Sequence, residues 1–545
     1  MPEYLRTDRR APLAYLLACV VIGYSCARLI TGIHSGLLLS IGFVLSLAAI
    51  VSTRKPAASK VWLLCFAGAG ILSFWAYAQI RTPDTPNPQE RHLPAREIRL
   101  RFKVEQTHSP NPEFASISGV ARILNPPPLS RLPKNSQIFF QCHWPPSPLT
   151  QLLRGQHIEA LGVLTPIPDP PSDGSFDQYL TDRDIYYRFT RISQIQLIQS
   201  AAPFEQRLHR YQKRLEQILT LGSPDEPTIA KVYTAILLGQ QESLSDAQLE
   251  HYRHTGTMHF FAISGLHIGV IASVIAQALL WIRVPRHLGP FIGLPLLLSY
   301  VIVTGSEPSA IRAFLMAAFF WGAYAFKRQR GPIPALIASA VLVLLIAPEQ
   351  LWHLGFQLSY IVVLHILLLG LPLHRWLRDR TQPYRYLPPA NLSFRQRLII
   401  RSLDKGLLLF SISFAAWWAS VPICATFFGY ITPLSVLTNL FLVHLIGLVI
   451  CTGVLSLSLG LFSLTSLSLW INHAAWPLIE LSNLVIHTSL RLPLHVLNTE
   501  WMTEPIGYTL ICLQILSLYY AHYRDRRPQA IAEDVWDSSN ERFSP

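Results

Sequence analysis

The sequence predicts a polytopic α-helical membrane protein of about twelve spans, interrupted once by a small all-β extracytoplasmic domain. Three observations predict it. Half of the 545 residues are hydrophobic and only 14% are charged, a balance typical of membrane chains. Apolar runs approaching or exceeding the roughly 20 residues of a bilayer span recur on both sides of one long proline-dense stretch. The Lys and Arg residues between those runs alternate from loop to loop, as they do when one face of a membrane is enriched in positive charge.

Taken in order, residues 1–81 hold three spans at about 12–30, 36–51 and 61–80. Arg6, Arg9 and Arg10 precede the first, and Arg54, Lys55 and Lys60 separate the second from the third. This puts the N-terminus in the cytoplasm and delivers residue 82 outside. No small-residue cleavage site follows the first apolar run, so it reads as a retained span rather than a signal peptide. Residues 82–226 differ in kind. Prolines at 126–128, 145–146 and 170–171 exclude long helices. Short alternating runs at Ile98–Val104, Gln137–Gln141, His157–Val163 and Tyr186–Leu197 read as strands, and a small β-barrel is the economical fold. Phe139, Phe140, Trp144, Tyr186, Tyr187 and Phe189 are candidate stacking platforms for a single nucleic-acid strand, with core packing as the rival role. Charge does not favour the platform role, because roughly sixteen Lys and Arg face fifteen Asp and Glu in this segment. From Glu205 to Gln240 the pattern turns helical, and its apolar end, Ile229–Leu238, is too short to span.

The second membrane block, residues 227–522, carries spans at 257–282, 288–304, 308–326, 333–348, 352–371, 406–429, 433–460, 467–489 and 505–522. The loops 283–287, 327–332 and 372–405 hold Arg283 and Arg286, then Lys327, Arg328 and Arg330, then a run from Arg375 to Lys405. The intervening loops near Glu307 and Glu349 hold none, which fixes the first set as cytoplasmic. Segment 467–489 is polar for a span, but counting it returns the C-terminus, with Arg524, Arg526 and Arg527, to the cytoplasm. Residues 523–545 form a polar tail. The formal charge of +13 is therefore mostly an orientation signal rather than a nucleic-acid signal.

Several chemistries are disfavoured. The seven cysteines are scattered, six of them in or beside apolar runs, and Cys142 has no partner in its own segment. No Cys or His spacing suits a metal, and no glycine-rich phosphate loop is present, so neither cofactor, metal nor ATPase is read. The polar residues inside the apolar runs carry the interest. Gly256–Trp281 reads as one span holding His259, Ser264, Gly265 and His267, with Ser264 and His267 on one helix face and His259 within about 80° of it. One side of that helix is expected to be wet. Arg312 lies four residues into its span, Gln357 and Ser359 share another, and Asn439 and His444 a third. Uncharged polar lining without Asp or Glu in spans 257–282 and 352–371 suits a polyanion better than a proton-driven cation carrier.

The pattern H-x4-S-G-x-H formed by His259, Ser264, Gly265 and His267 resembles the signature of the ComEC competence family. Three later stretches resemble that family in the same order: Pro308–Ala313, Gly355–Tyr360, and Pro422–Phe428 with Pro433, Asn439 and Leu440. Phe176, Asp177, Tyr179, Leu180 and Ile185 look like the end of its outer domain. The resemblance implies an OB-like barrel and an inner-membrane channel that passes single-stranded DNA during natural transformation. It also implies as partners a separate DNA receptor, a cytoplasmic helicase-like motor and a nuclease, beside the membrane lipid. Two departures stand out. Val443-His444 replaces a proline that the family has after its Asn-Leu pair, and no H-x-H-x-D-H nuclease cluster or metallo-β-lactamase-like segment is recognised. Two rival functions are an intramembrane hydrolase using Ser264 with His259 or His267 as base, and a transporter of another anionic or lipid-linked substrate.

Overall fold

The computed structural model describes residues 12–521 apart from 31–32, 53–58, 82–93, 108–115, 126–131, 133–135, 144–151, 169–175, 182–184, 224–227, 242–243, 326–330, 382, 385–391, 494–495 and 519. Trp144, the proline pairs and triplet of the β segment, the loop cations Lys327, Arg328 and Arg330, and the polar tail lie outside the described residues.

Three apolar helices open the chain, α1 (Pro12–Leu29), α2 (Ser35–Ser52) and α3 (Ser59–Arg81). They dock on the later bundle through two phenols, since Tyr24 donates to the Leu344 carbonyl at 2.9 Å and Tyr77 to the Leu345 carbonyl at 2.5 Å.

Five strands follow: β1 (Arg96–Thr107), β2 (Ser116–Asn125), β3 (Gln137–His143), β4 (His157–Pro166) and β5 (Tyr187–Gln199). They close a barrel in the order β1-β2-β3-β5-β4, with β1 pairing β4 and only β3–β5 parallel. The β2 strand escapes the sequence reading because two of its inward positions are small. Gly119 sits where a Cβ would strike the Gln106 carbonyl, and Ala121 is fully buried, so the apolar alternation is muted. The short helix α4 (Phe176–Thr181) covers one wall.

The barrel interior corrects the platform expectation. Phe140 and Tyr187 are 1% and 2% exposed and pack with Phe102 and Phe189 in one core cluster. Phe139 points the other way but is covered by Leu180, Ile185 and the Phe176 ring, 5.0 Å away. Tyr186 is half-buried against the same interior cluster. Side chains alternate across a strand, so a barrel of this size consumes its inward aromatics as filling. Its wall cations are also engaged: Arg101 with Glu159, Arg122 with Glu105, and Arg188 with Asp177.

Two helices, α5 (Pro203–Leu219) and α6 (Thr228–Leu238), occupy the region predicted as one helical pattern. Then come α7 (Asp246–His254), a 3₁₀ turn at Met258–Phe260, α8 (Gly265–Trp281), α9 (Gly289–Val303), α10 (Pro308–Ala325) and α11 (Pro332–Ile346). The helix α12 (Leu354–His365) passes through a π turn into α13 (Leu371–Thr381). The chain ends in α14 (Phe394–Phe427), α15 (Ser435–Leu461), α16 (Thr465–Leu490) and α17 (Glu504–Leu518). Among the described residues, four stretches are long and apolar enough to cross a membrane: Met258–Trp281, Leu354–Thr381, Phe394–Phe427 and Ser435–Leu461. The molecule is thus a membrane protein with a β domain. α15 runs unbroken through Val443 and His444, as the absence of a proline there allows. One large core joins residues of α5 through α10 to α15 and α16.

Candidate functional site

The stretch read as a single span is broken before it begins. After α7, Gly256 turns the chain with φ +69°, a conformation that favours glycine, and a Cβ there would press on Thr432 and Ser435. A 3₁₀ turn follows, and only from Gly265 does the backbone become α-helical. Ser264 is therefore the N-cap of α8, not a residue of its interior, and His267 is the third helical residue. The imidazole Nδ1 accepts from the Ser264 backbone N–H at 3.3 Å and meets the Ser264 hydroxyl at 3.0 Å. This is the reciprocal capping arrangement with histidine in place of the usual Glu or Gln.

Burial corrects the expected wet face. His267 is fully buried, whereas His259 is exposed, with Nδ1 on the Gly256 carbonyl at 3.0 Å and its ring on Phe260. Starting the helix after His259 removes the angular relation a continuous helix would give them.

The later motif residues converge on this cap. Ser309, in the first turn of α10, donates its hydroxyl to the Ile263 carbonyl at 2.6 Å, immediately before Ser264. One turn further along the same face, Arg312 Nη2 donates to the Gly355 carbonyl at 2.9 Å, at the start of α12. The starts of α8, α10 and α12 are thus tied in sequence by side chain to backbone bonds. Phe260 and Phe261 meet Leu442 and Ile446 of α15 around a cavity of about 10 Å³, room for roughly one water. Tyr252 closes another side by donating to Asn483 at 3.2 Å, and burial pushes its phenol up to about 12, so it stays a donor. Spacing could not reveal this convergence, because the motifs lie tens of residues apart.

The polar groups here are incompletely satisfied. Arg312 is 5% exposed, its Nε has no partner, and no carboxylate pairs with it among the described residues. Gln357 donates to the Leu351 carbonyl at 3.1 Å while its Oε1 is buried and without a partner among the described residues. Ser359 is half-buried on the same helix. Asn439 is half-buried on α15 with Oδ1 unpartnered, and Gly265 is exposed at the start of α8. Unpaired buried polar atoms are uncommon, and a buried cation without an anion is costly. No group of His, Cys, Asp or Glu suited to a metal occurs among the described residues.

Comparison with known proteins agrees with the motif order. The family model described as Competence protein matches residues 236–524, more than half of the chain. The ComE operon protein 3 of Bacillus subtilis (strain 168) is 26% identical over 216 residues, covering 39% of this chain and 27% of that protein. An uncharacterized protein of Aquifex aeolicus (strain VF5) is 30% identical over 231 residues, covering 42% of this chain and 48% of its own length. The chain thus aligns with less than half of either relative. No solved structure matches it.

Proposed function

The chain belongs to the ComEC competence-protein family, and on that premise we propose that it is the inner-membrane channel through which single-stranded DNA enters the cytoplasm during natural transformation. The observation that carries this reading is Arg312. A guanidinium held 5% exposed at the junction of three motif-bearing helices, bonded to a carbonyl and to no carboxylate, is an anion contact waiting for its anion. Gln357 and Tyr360 add uncharged polar atoms beside it on α12, and none of the motif residues named on the bundle helices is acidic, which suits a phosphate chain.

In this reading the packed conformation is the closed one. Parting the α8, α10 and α12 starts would break the side chain to backbone bonds Ser309 to Ile263 and Arg312 to Gly355, together with the apolar contacts of α10 in the core, and would free the guanidinium for phosphate. We read the barrel as OB-like, from its five-stranded closed order, and as extracytoplasmic. About twelve spans, both termini in the cytoplasm, and the division at residues 81, 226 and 522 belong to the same proposal. A separate surface receptor, a cytoplasmic helicase-like motor and a nuclease would bring, pull and process the strand.

Deleting the gene tests the function: transformation is lost while DNA still binds the cell surface, and complementation restores it. Normal uptake by the deletion strain would reject the channel; altered envelope composition with normal uptake would favour a lipid-linked substrate.

A further inference from the structure

Immediately after the last barrel strand, α5 presents a charged face that neither the barrel nor the bundle uses. Arg207, Arg210 and Arg214 are all exposed, with Phe204 and Tyr211 between them at 61% and 55% exposure. At about 100° per residue these five side chains fall within one arc of roughly 120°. The two carboxylates of the helix, Glu205 and Glu216, project from the opposite side, close to Gln212, which donates to the Val303 carbonyl at 2.7 Å; Leu215, Ile218 and Leu219, in the last turn, pack into the bundle core along the edge that carries Phe204 and Tyr211. None of the three arginines is in an ion pair among the described residues, unlike Arg101, Arg122 and Arg188 of the barrel.

We propose that this face of α5 is a binding stripe for single-stranded nucleic acid, delivering a strand from the barrel side to the bundle; the proposal rests on the channel reading above. Cations spaced along about 10 Å of helix with aromatic rings between them are the elements that hold a strand without reading its sequence. Charge complementarity selects this occupant over lipid. With the barrel outside, α5 stands on the face where positive clusters are not needed for orientation and where anionic lipid is not concentrated.

The test uses the full chain in nanodiscs and a fluorescein-labelled oligo-dT, with binding followed by anisotropy across a salt series. The Arg207→Gln/Arg210→Gln/Arg214→Gln variant is expected to bind at least about tenfold more weakly, with a log–log salt slope shallower by about two, since each single-strand phosphate contact contributes about 0.7. Tyr211→Ala weakens binding with the slope unchanged, and the triple Lys variant retains the parental slope, which excludes misfolding as the cause. Parental affinity and slope in the triple Gln variant would overturn the stripe alone. So would a loss seen only with phosphatidylglycerol vesicles, which assigns the face to lipid. A parent protein that binds no oligonucleotide would instead count against the channel reading on which the stripe depends.

Discussion

Arg101, Arg122 and Arg188 on the barrel wall hold carboxylates at 2.8, 2.6 and 2.6 Å, although each is at least partly open to solvent. Arg312, far more deeply buried in the bundle, holds only the Gly355 carbonyl. Stability alone would arrange the two the other way round. Exposed ion pairs contribute about 0–1 kcal/mol, whereas an unpaired buried charge is expensive. The barrel packs its inward aromatics as filling and pairs Arg101, Arg122 and Arg188 with carboxylates. The junction of α8, α10 and α12 leaves Arg312 Nε and Gln357 Oε1 buried and without a partner among the described residues. The difference sets paired cations on the barrel wall against a buried cation with no carboxylate partner among the described residues of the bundle.

The sharpest way to break this contrast is Arg312→Met. Transformation is expected to fall about a hundredfold or more, as when one partner of a buried charge contact costs 2–5 kcal/mol. Thermal stability in detergent should hold or rise, because an unpaired buried charge is removed. A variant that takes up DNA normally, or that melts earlier, would mean the guanidinium is structural. The barrel should answer in the reverse sense. Phe140→Ala is expected to cost about 3–5 kcal/mol of stability by leaving a cavity in the core. If the melting temperature is unchanged while oligonucleotide binding drops, Phe140 is a platform after all.

Smaller effects refine the comparison. Ser264→Ala is expected to cost about 1 kcal/mol as a lost helix cap while leaving transformation within a few fold of the parent. A fluorophosphonate probe should not label Ser264; labelling would revive the hydrolase reading. In the barrel, burial pushes the Cys142 thiol up from its ordinary 9.0 to about 11. Because the folded value is the higher, its contribution to stability is complete below pH 9 and disappears as pH rises through about 11. Iodoacetamide at pH 8 should therefore spare Cys142 in the folded protein and modify it only after denaturation.

Much of the architecture is legible in the sequence because hydropathy is a strong local signal. α1, α2, α3, α9 and α10 fall within a residue or two of their predicted spans. Capping chemistry was harder to read: His267 looks like a mid-span polar residue until Ser264 is seen to start the helix. The platform aromatics failed for a different reason, since alternation tells that a strand has two faces but not which face a closed barrel fills. The α5 stripe was hidden by averaging. Sixteen cations against fifteen acids looks neutral over residues 82–226, yet within α5 the arginines and carboxylates segregate to opposite sides. What no local pattern could supply is contact between motifs, such as Ser309 on the Ile263 carbonyl.

The central claim, that the junction around Arg312 parts to admit a strand, is met most directly by photo-crosslinking in transforming cells. A benzophenone amino acid at Gln357 should capture incoming labelled DNA, while the same group at Trp470, 70% exposed on α16, captures none. Efficient uptake with no crosslink at Gln357 would contradict the claim.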